Sequence, residues 1–179
     1  MASTFQFCED NGAALGNPAR GTTSTTGISN FNLKNIDDTS TTYSSVPITA
    51  GNNSYSKYIW GLWTGSFNQI TTVKFNHISG VFGAGLSLFC GISGSGFYNT
   101  PATTSASLFT NDITNTGASS VTGLTVLVGS SGPHFSGKAA STVSNPAYSE
   151  FIGVQLRTTV AASAGDTVTY VGEISWQEN

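Results

Sequence analysis

Charge is scarce in this chain: six Lys and Arg and nine Asp and Glu make up 8% of its 179 residues, against about 25% in an average soluble protein. Ser, Thr, Asn and Gly fill the water-facing positions instead. The shortage of basic residues and a net charge of −3 argue against a protein that tracks nucleic acid, which needs a basic stripe to displace counterions from phosphates. Cysteine is nearly absent. Cys8 and Cys90 make no disulfide framework and no metal spacing, and their apolar and aromatic neighbours mark them as buried reduced thiols. No apolar run approaches the roughly 20 residues of a membrane helix. The opening Met1-Ala2-Ser3-Thr4-Phe5 has neither the basic nor the apolar region of a secretory signal, so none is expected. With 11% aromatic residues, the composition is also the reverse of a disordered chain.

Helical periodicity is missing too, and period-2 alternation takes its place. Over 72–78, Val73, Phe75 and His77 fall on one side, and Thr72, Lys74 and Asn76 on the other. Leu86, Leu88, Cys90 and Ile92 share a side, and over 151–160 Ile152, Val154 and Leu156 oppose Gly153, Gln155 and Arg157. Over 167–176, Val168, Tyr170, Ile174 and Trp176 oppose Thr167, Thr169, Glu173 and Ser175. These patterns predict half-buried strands. Weaker strand patterns occupy 4–8, 28–36, 55–63, 105–110 and 121–128, with turn-forming Gly, Asn, Pro, Ser and Thr clusters between them. Strands at this spacing predict an all-β fold, a single-domain β-sandwich of jelly-roll-like type; an immunoglobulin-like strand order is the alternative, because pairing partners are not encoded locally. The expected division is an N-terminal arm and loop over 1–27 and a sandwich domain over 28–179. Long Gly/Ser/Thr-rich loops are expected over 13–26 and 129–144, of a kind that orders against a neighbour in an assembly. The alternation Thr4-Phe5-Gln6-Phe7 suggests that the arm adds to a neighbour as a strand.

Catalytic constellations do not emerge. Residues 132–139, Gly-Pro-His-Phe-Ser-Gly-Lys-Ala, fit a phosphate loop except at the last place, where Ala139 lacks the hydroxyl that binds magnesium. The Ser/Thr-rich segment that follows is no helix whose N-terminus could face phosphate. No serine sits in a Gly-x-Ser-x-Gly elbow. His77 lies on an apolar face and reads as a hydrogen-bonded core or interface histidine, and His134 lies in a loop. The acid pairs Glu9-Asp10 and Asp37-Asp38 either point to opposite faces of a strand or start turns. The chain therefore reads as no enzyme, with no cofactor and no metal site. The aromatic run is more informative: Tyr58, Trp60 and Leu62 share one strand face, and Tyr55, Ile59 and Trp63 the other. One face is expected in the core. The other, if exposed, would be a subunit contact or a sugar-stacking platform.

The stretches 48–58 (Ile-Thr-Ala-Gly-Asn-Asn-Ser-Tyr-Ser-Lys-Tyr), 65–70 (Gly-Ser-Phe-Asn-Gln-Ile) and Val73-Lys74-Phe75, with 148–156 (Tyr-Ser-Glu-Phe-Ile-Gly-Val-Gln-Leu), Ala164-Gly165-Asp166 and the closing Gln177-Glu178-Asn179, resemble small β-rich virion proteins of tailed bacteriophages, of the capsid decoration or cement type. The resemblance covers the middle and last thirds of the chain. It implies a β-sandwich made in the host cytoplasm and carried on the outside of the virion capsid, as a homotrimer at three-fold positions. Its partner would be the major capsid protein, whose neighbouring subunits it would clamp by binding alone, with no nucleic acid and no membrane involved. On this reading the contact residues are Phe5 and Phe7 of the arm, Tyr55, Tyr58, Trp60 and Trp63 of the aromatic strand, and Phe135 of the long loop. The alternative is a neck, tail or fibre module that binds host-surface carbohydrate through Trp60 or Trp63.

Overall fold

A computed structural model of the chain describes residues 3–16, 19–92, 98–104, 109–114, 121–124, 126–128, 146–163 and 170–178. Within them lie eleven strands: β1 (Ser3–Asn11), β2 (Thr23–Thr26), β3 (Lys57–Gly65), β4 (Ile70–Ser79), β5 (Leu86–Ile92), β6 (Asn111–Asp112), β7 (Val121–Leu124), β8 (Val126–Val128), β9 (Ala147–Ser149), β10 (Ile152–Thr158) and β11 (Val171–Glu178). The helical content of the described residues is one 3-10 turn, Tyr43–Ser45. The larger sheet runs β2-β1-β3-β10-β5-β6, with β9 pairing the outer half of β3 and β8 pairing β9; the smaller is β11-β4-β7. All pairings are antiparallel. The expected all-β sandwich is the fold.

The strongly alternating segments form strands because each has one face to bury. Val73 and Phe75 on β4 and Ile174 on β11 point from the small sheet onto Ile59, Trp63, Leu88, Cys90, Ile152 and Val154 of the large one. His77 is buried on the same face of β4, with Nδ1 2.7 Å from the Ile113 carbonyl and Nε2 2.8 Å from that of Ser79. A bulge interrupts β4 where its register against β11 slips between Ser175 and Gln177. Thr72 sits there at φ 54°, a backbone conformation that β-branched residues rarely take.

Three expectations are corrected. The N-terminal segment is no free arm: β1 is an interior strand, paired to β3 along Ser3–Asp10 and to β2 along Cys8–Asn11. Its Phe5 stacks on Trp176 at 4.9 Å and leans on Trp63 at 5.2 Å, so the ring-bearing face finds its partner inside the same chain. Residues 28–36 form no strand. The apolar positions that pack on the core there are Ile28, Phe31 and Leu33, which do not keep period 2, and the intervening Ser29, Asn30 and Asn32 favour irregular backbone. Finally, the single strand expected over 121–128 is split: β7 pairs with β4 in the small sheet, while β8 pairs with β9 in the large one.

The large sheet is covered on both faces. Away from the small sheet, Cys8, Tyr58, Trp60, Tyr148 and Phe151 pack with Tyr98 and Phe109, which come from the segments 98–104 and 109–114. Gly153 on β10 makes room for this second layer: a Cβ there would stand 1.8 Å from the Phe109 ring. Apolar residues at successive positions of β3 are what a strand buried on both sides requires.

Candidate functional site

The expected contact residues turn inward. Tyr58, Trp60 and Trp63 are buried, and Phe5 and Phe7 are half-buried against the inter-sheet core. Tyr58 meets Tyr98 at 4.9 Å, and Trp60 meets Tyr148 at 5.7 Å. The Trp60 indole N–H donates to buried Asp10 Oδ1 at 3.0 Å. Tyr55 is half-buried just before β3, where its backbone N–H donates to the Lys34 carbonyl. Phe135 lies outside the described residues. Neither Trp60 nor Trp63 offers a ring face to solvent, so no sugar platform exists on this strand. The two cysteines are free and buried, and desolvation pushes both thiols up to about 12.

What the aromatic strand does position is a buried ionic network. Lys57 opens β3, is 1% exposed, and projects toward the end of β1. Its Nζ donates to Glu9 Oε1 at 2.7 Å, to Asn11 Oδ1 at 2.9 Å and to the Asp38 carbonyl at 3.0 Å, with Asp37 Oδ1 at 3.8 Å. Lys34, also 1% exposed, donates to Asp38 Oδ1 at 2.5 Å and to the Thr41 carbonyl at 2.6 Å. Asp38 closes a local turn by accepting from the Ser40 and Thr41 backbone. The bonds from Lys34 and then from Thr41 hold its carboxyl well below the usual carboxylate range. Glu9 and Asp10 do point to opposite faces, one to Lys57 and the other to Trp60 and the Gly21 N–H. Five of the chain's few charges thus tie the irregular segment after β2 to the open end of the β1–β3 pair.

A cleft of about 370 Å³ shares Glu9, Lys34 and Asp38 with this network and is otherwise lined by residues 25–32 and Thr39. Among the described residues, no group of three or more His, Cys, Asp or Glu is placed to hold a metal ion, and no helix is long and apolar enough to cross a membrane.

Four outward-facing aliphatic side chains lie toward one end of the sandwich, while Leu15, Ile36 and Tyr43 are exposed in other segments. Val81, in the connection between β4 and β5, is 88% exposed, and Val160, after β10, is 89% exposed. The two connections are joined by the Thr159 N–H, which donates to the Gly85 carbonyl at 2.8 Å. Ile78, near the end of β4, and Val171, which pairs with the adjacent Ser79, are exposed at the same end. No sequence signal singles out these four: an isolated aliphatic residue near a strand end reads equally as the edge of a core.

No protein-family model, no curated protein and no solved structure matches this chain.

Proposed function

We propose that this chain is a virion structural protein of the capsid decoration type, which binds the outside of a bacteriophage head and stabilises contacts between major capsid subunits. The observation that carries the reading is the exposed aliphatic end of the sandwich. Among the described residues, where most aromatic side chains are used internally, Ile78, Val81, Val160 and Val171 leave apolar area exposed at that end, and Val81 and Val160 are the most exposed of the large hydrophobic side chains. Ile78 and Val171 stand in paired strands, and Val81 and Val160 on connections joined by the bond from the Thr159 N–H to the Gly85 carbonyl, so little conformational entropy is lost when they are covered. Three further features support it: the sequence resemblance, the near absence of charge to desolvate on docking, and a fold that already buries both faces of its main sheet. Such a protein acts by mass action, binding the assembled shell and not its separated subunits. Copies arranged as a homotrimer around a symmetry axis would add avidity.

The test adds purified protein to undecorated heads. A defined copy number per head and a raised rupture temperature are expected; absence of binding at micromolar protein overturns the proposal.

A further inference from the structure

We infer that Lys57 and Asn11 are the two ends of an internal isopeptide bond, formed by the chain itself with Glu9 as the proton carrier. The inference concerns the closed interior of the sandwich and does not depend on the capsid reading.

The register of β1 against β3 brings the three groups together. Glu9 pairs with Ile59 and Asp10 with Tyr58, so the next step along this antiparallel pair sets Asn11 against Lys57. Glu9 and Asn11, two residues apart on β1, share the face onto which Lys57 projects. Lys57 Nζ stands 2.9 Å from Asn11 Oδ1 and 2.7 Å from Glu9 Oε1, and the amide carbon Cγ lies one bond beyond that Oδ1. Lys57 is 1% exposed, Glu9 3% and Asn11 4%. Such a site is closed to an outside ligand, but a reaction between the residues themselves needs none, and water is kept out as a competing nucleophile. Holding two reactants on paired strands is the kind of arrangement for which effective molarities reach roughly 10⁵–10⁸ M.

Asn11 is otherwise poorly satisfied. Its buried Nδ2 has no hydrogen-bond partner, and an orphaned buried donor is costly. Nδ2 is the leaving group of the proposed step, so the reaction removes that orphan and turns a buried ammonium into a neutral amide. A rival closure exists at Asn11 itself: attack by the backbone nitrogen of Gly12 to give a succinimide. That nitrogen is held elsewhere, its N–H donating to Asp37 Oδ2 at 2.6 Å.

In the step, Lys57 passes one proton to the Glu9 carboxylate. The freed pair on Nζ bonds to Cγ while the C=O pair moves onto Oδ1. Glu9 delivers its proton to Nδ2, the carbonyl re-forms and the Cγ–Nδ2 bond breaks. The proton still in excess on Nζ leaves with the departing nitrogen as ammonium. The products are a Lys57–Asn11 amide, a restored Glu9 carboxylate and ammonium, with nothing oxidised or reduced.

The experiment measures the intact mass of the denatured full chain, before and after prolonged incubation at neutral pH, and maps a trypsin digest. The expected mass falls short of the sequence by one ammonia. The digest should hold residues 1–20 and 35–74 in one branched peptide, uncut at Lys57. E9Q protein recovered folded, as judged by its amide NMR spectrum, keeps both reacting groups and should keep the full mass. Three results would overturn the inference: the parent retains its full mass after incubation; ammonia is lost but residues 1–20 and 58–74 appear as separate linear peptides, the mark of a succinimide; or E9Q forms the bond as completely as the parent. The first two are read on the parent alone, so the outcome does not hang on the folding of E9Q, and none of the three involves binding to heads.

Discussion

Replacing Lys57 by methionine tests how the irregular segment is fastened to the sheet. Methionine keeps most of the volume and removes the ammonium, so the change isolates charge and hydrogen bonding. Lys57 is 1% exposed and Glu9 3%; three acceptors lie within 3.0 Å of Nζ, and Asp37 Oδ1 lies 3.8 Å away. Without the lysine, Glu9 is left as a buried carboxylate facing other acceptors, and breaking a buried pair in this way costs about 3–5 kcal/mol. In a chain of this size that corresponds to a fall in Tm of about 6–20 °C. Urea denaturation of the parent, K57M, E9L and the double variant forms a cycle that separates the pair from its surroundings. Each single variant should be strongly destabilised, and the double variant should cost clearly less than their sum, with a coupling of about 2 kcal/mol or more. A K57M protein within about 0.5 kcal/mol of the parent, the range of ordinary surface changes, would refute the network as a structural tie. Additive single costs would refute the pairing itself.

Three other perturbations follow from the same geometry. The folded-state value of Asp38 lies below its ordinary 3.8, so its stabilising effect is fully present above that value and fades as the pH falls below it; D38N should lower stability at pH 7 and flatten the acid limb of a stability–pH curve. G153A should destabilise by about 3 kcal/mol, because Phe109 occupies the position its methyl would take, and overpacking costs of that order; a parent-like urea midpoint would mean that the second layer is loosely packed. With both thiols pushed up to about 12 by burial, Cys8 and Cys90 should resist iodoacetamide at pH 8 in the native protein and react once it is unfolded in urea. Rapid alkylation of the native state, read by mass spectrometry, would contradict their burial.

The strands with one apolar face were legible because their partner layer is reported by alternation itself: Val73, Phe75 and His77, or Leu86, Leu88 and Cys90, needed no knowledge of what lay opposite. Three features escaped for reasons of range. The second face of β3 is covered by Tyr98 and Phe109, about forty to fifty residues away, and nothing local distinguishes such a cover from solvent or a partner subunit. Lys57 and Lys34 look like surface lysines, since the acceptors that make their burial tolerable arrive from β1 and from a turn near Asp38. Residues 28–36 carry enough hydrophobic residues to suggest a strand, yet their backbone bonds reach across to Phe7, Val46 and Tyr55, so the segment bridges elements and joins no ladder. The acid pairs were legible for the opposite reason: alternation along a strand and turn formation within a few residues are local rules, and Glu9-Asp10 and Asp37-Asp38 obey them.

The proposed attachment to heads runs through the aliphatic end of the sandwich. The most direct measurement compares the affinity of the parent and of V81D/V160D for undecorated heads by co-sedimentation, with the Tm of each free protein as control. Both valines are almost wholly solvent-facing, so the Tm values should agree within about 3 °C, equivalent to less than 1 kcal/mol, while the variant's affinity falls at least about a hundredfold, the loss expected when a contact core acquires two charges. Equal binding of the two proteins would place the contact elsewhere and contradict the claim.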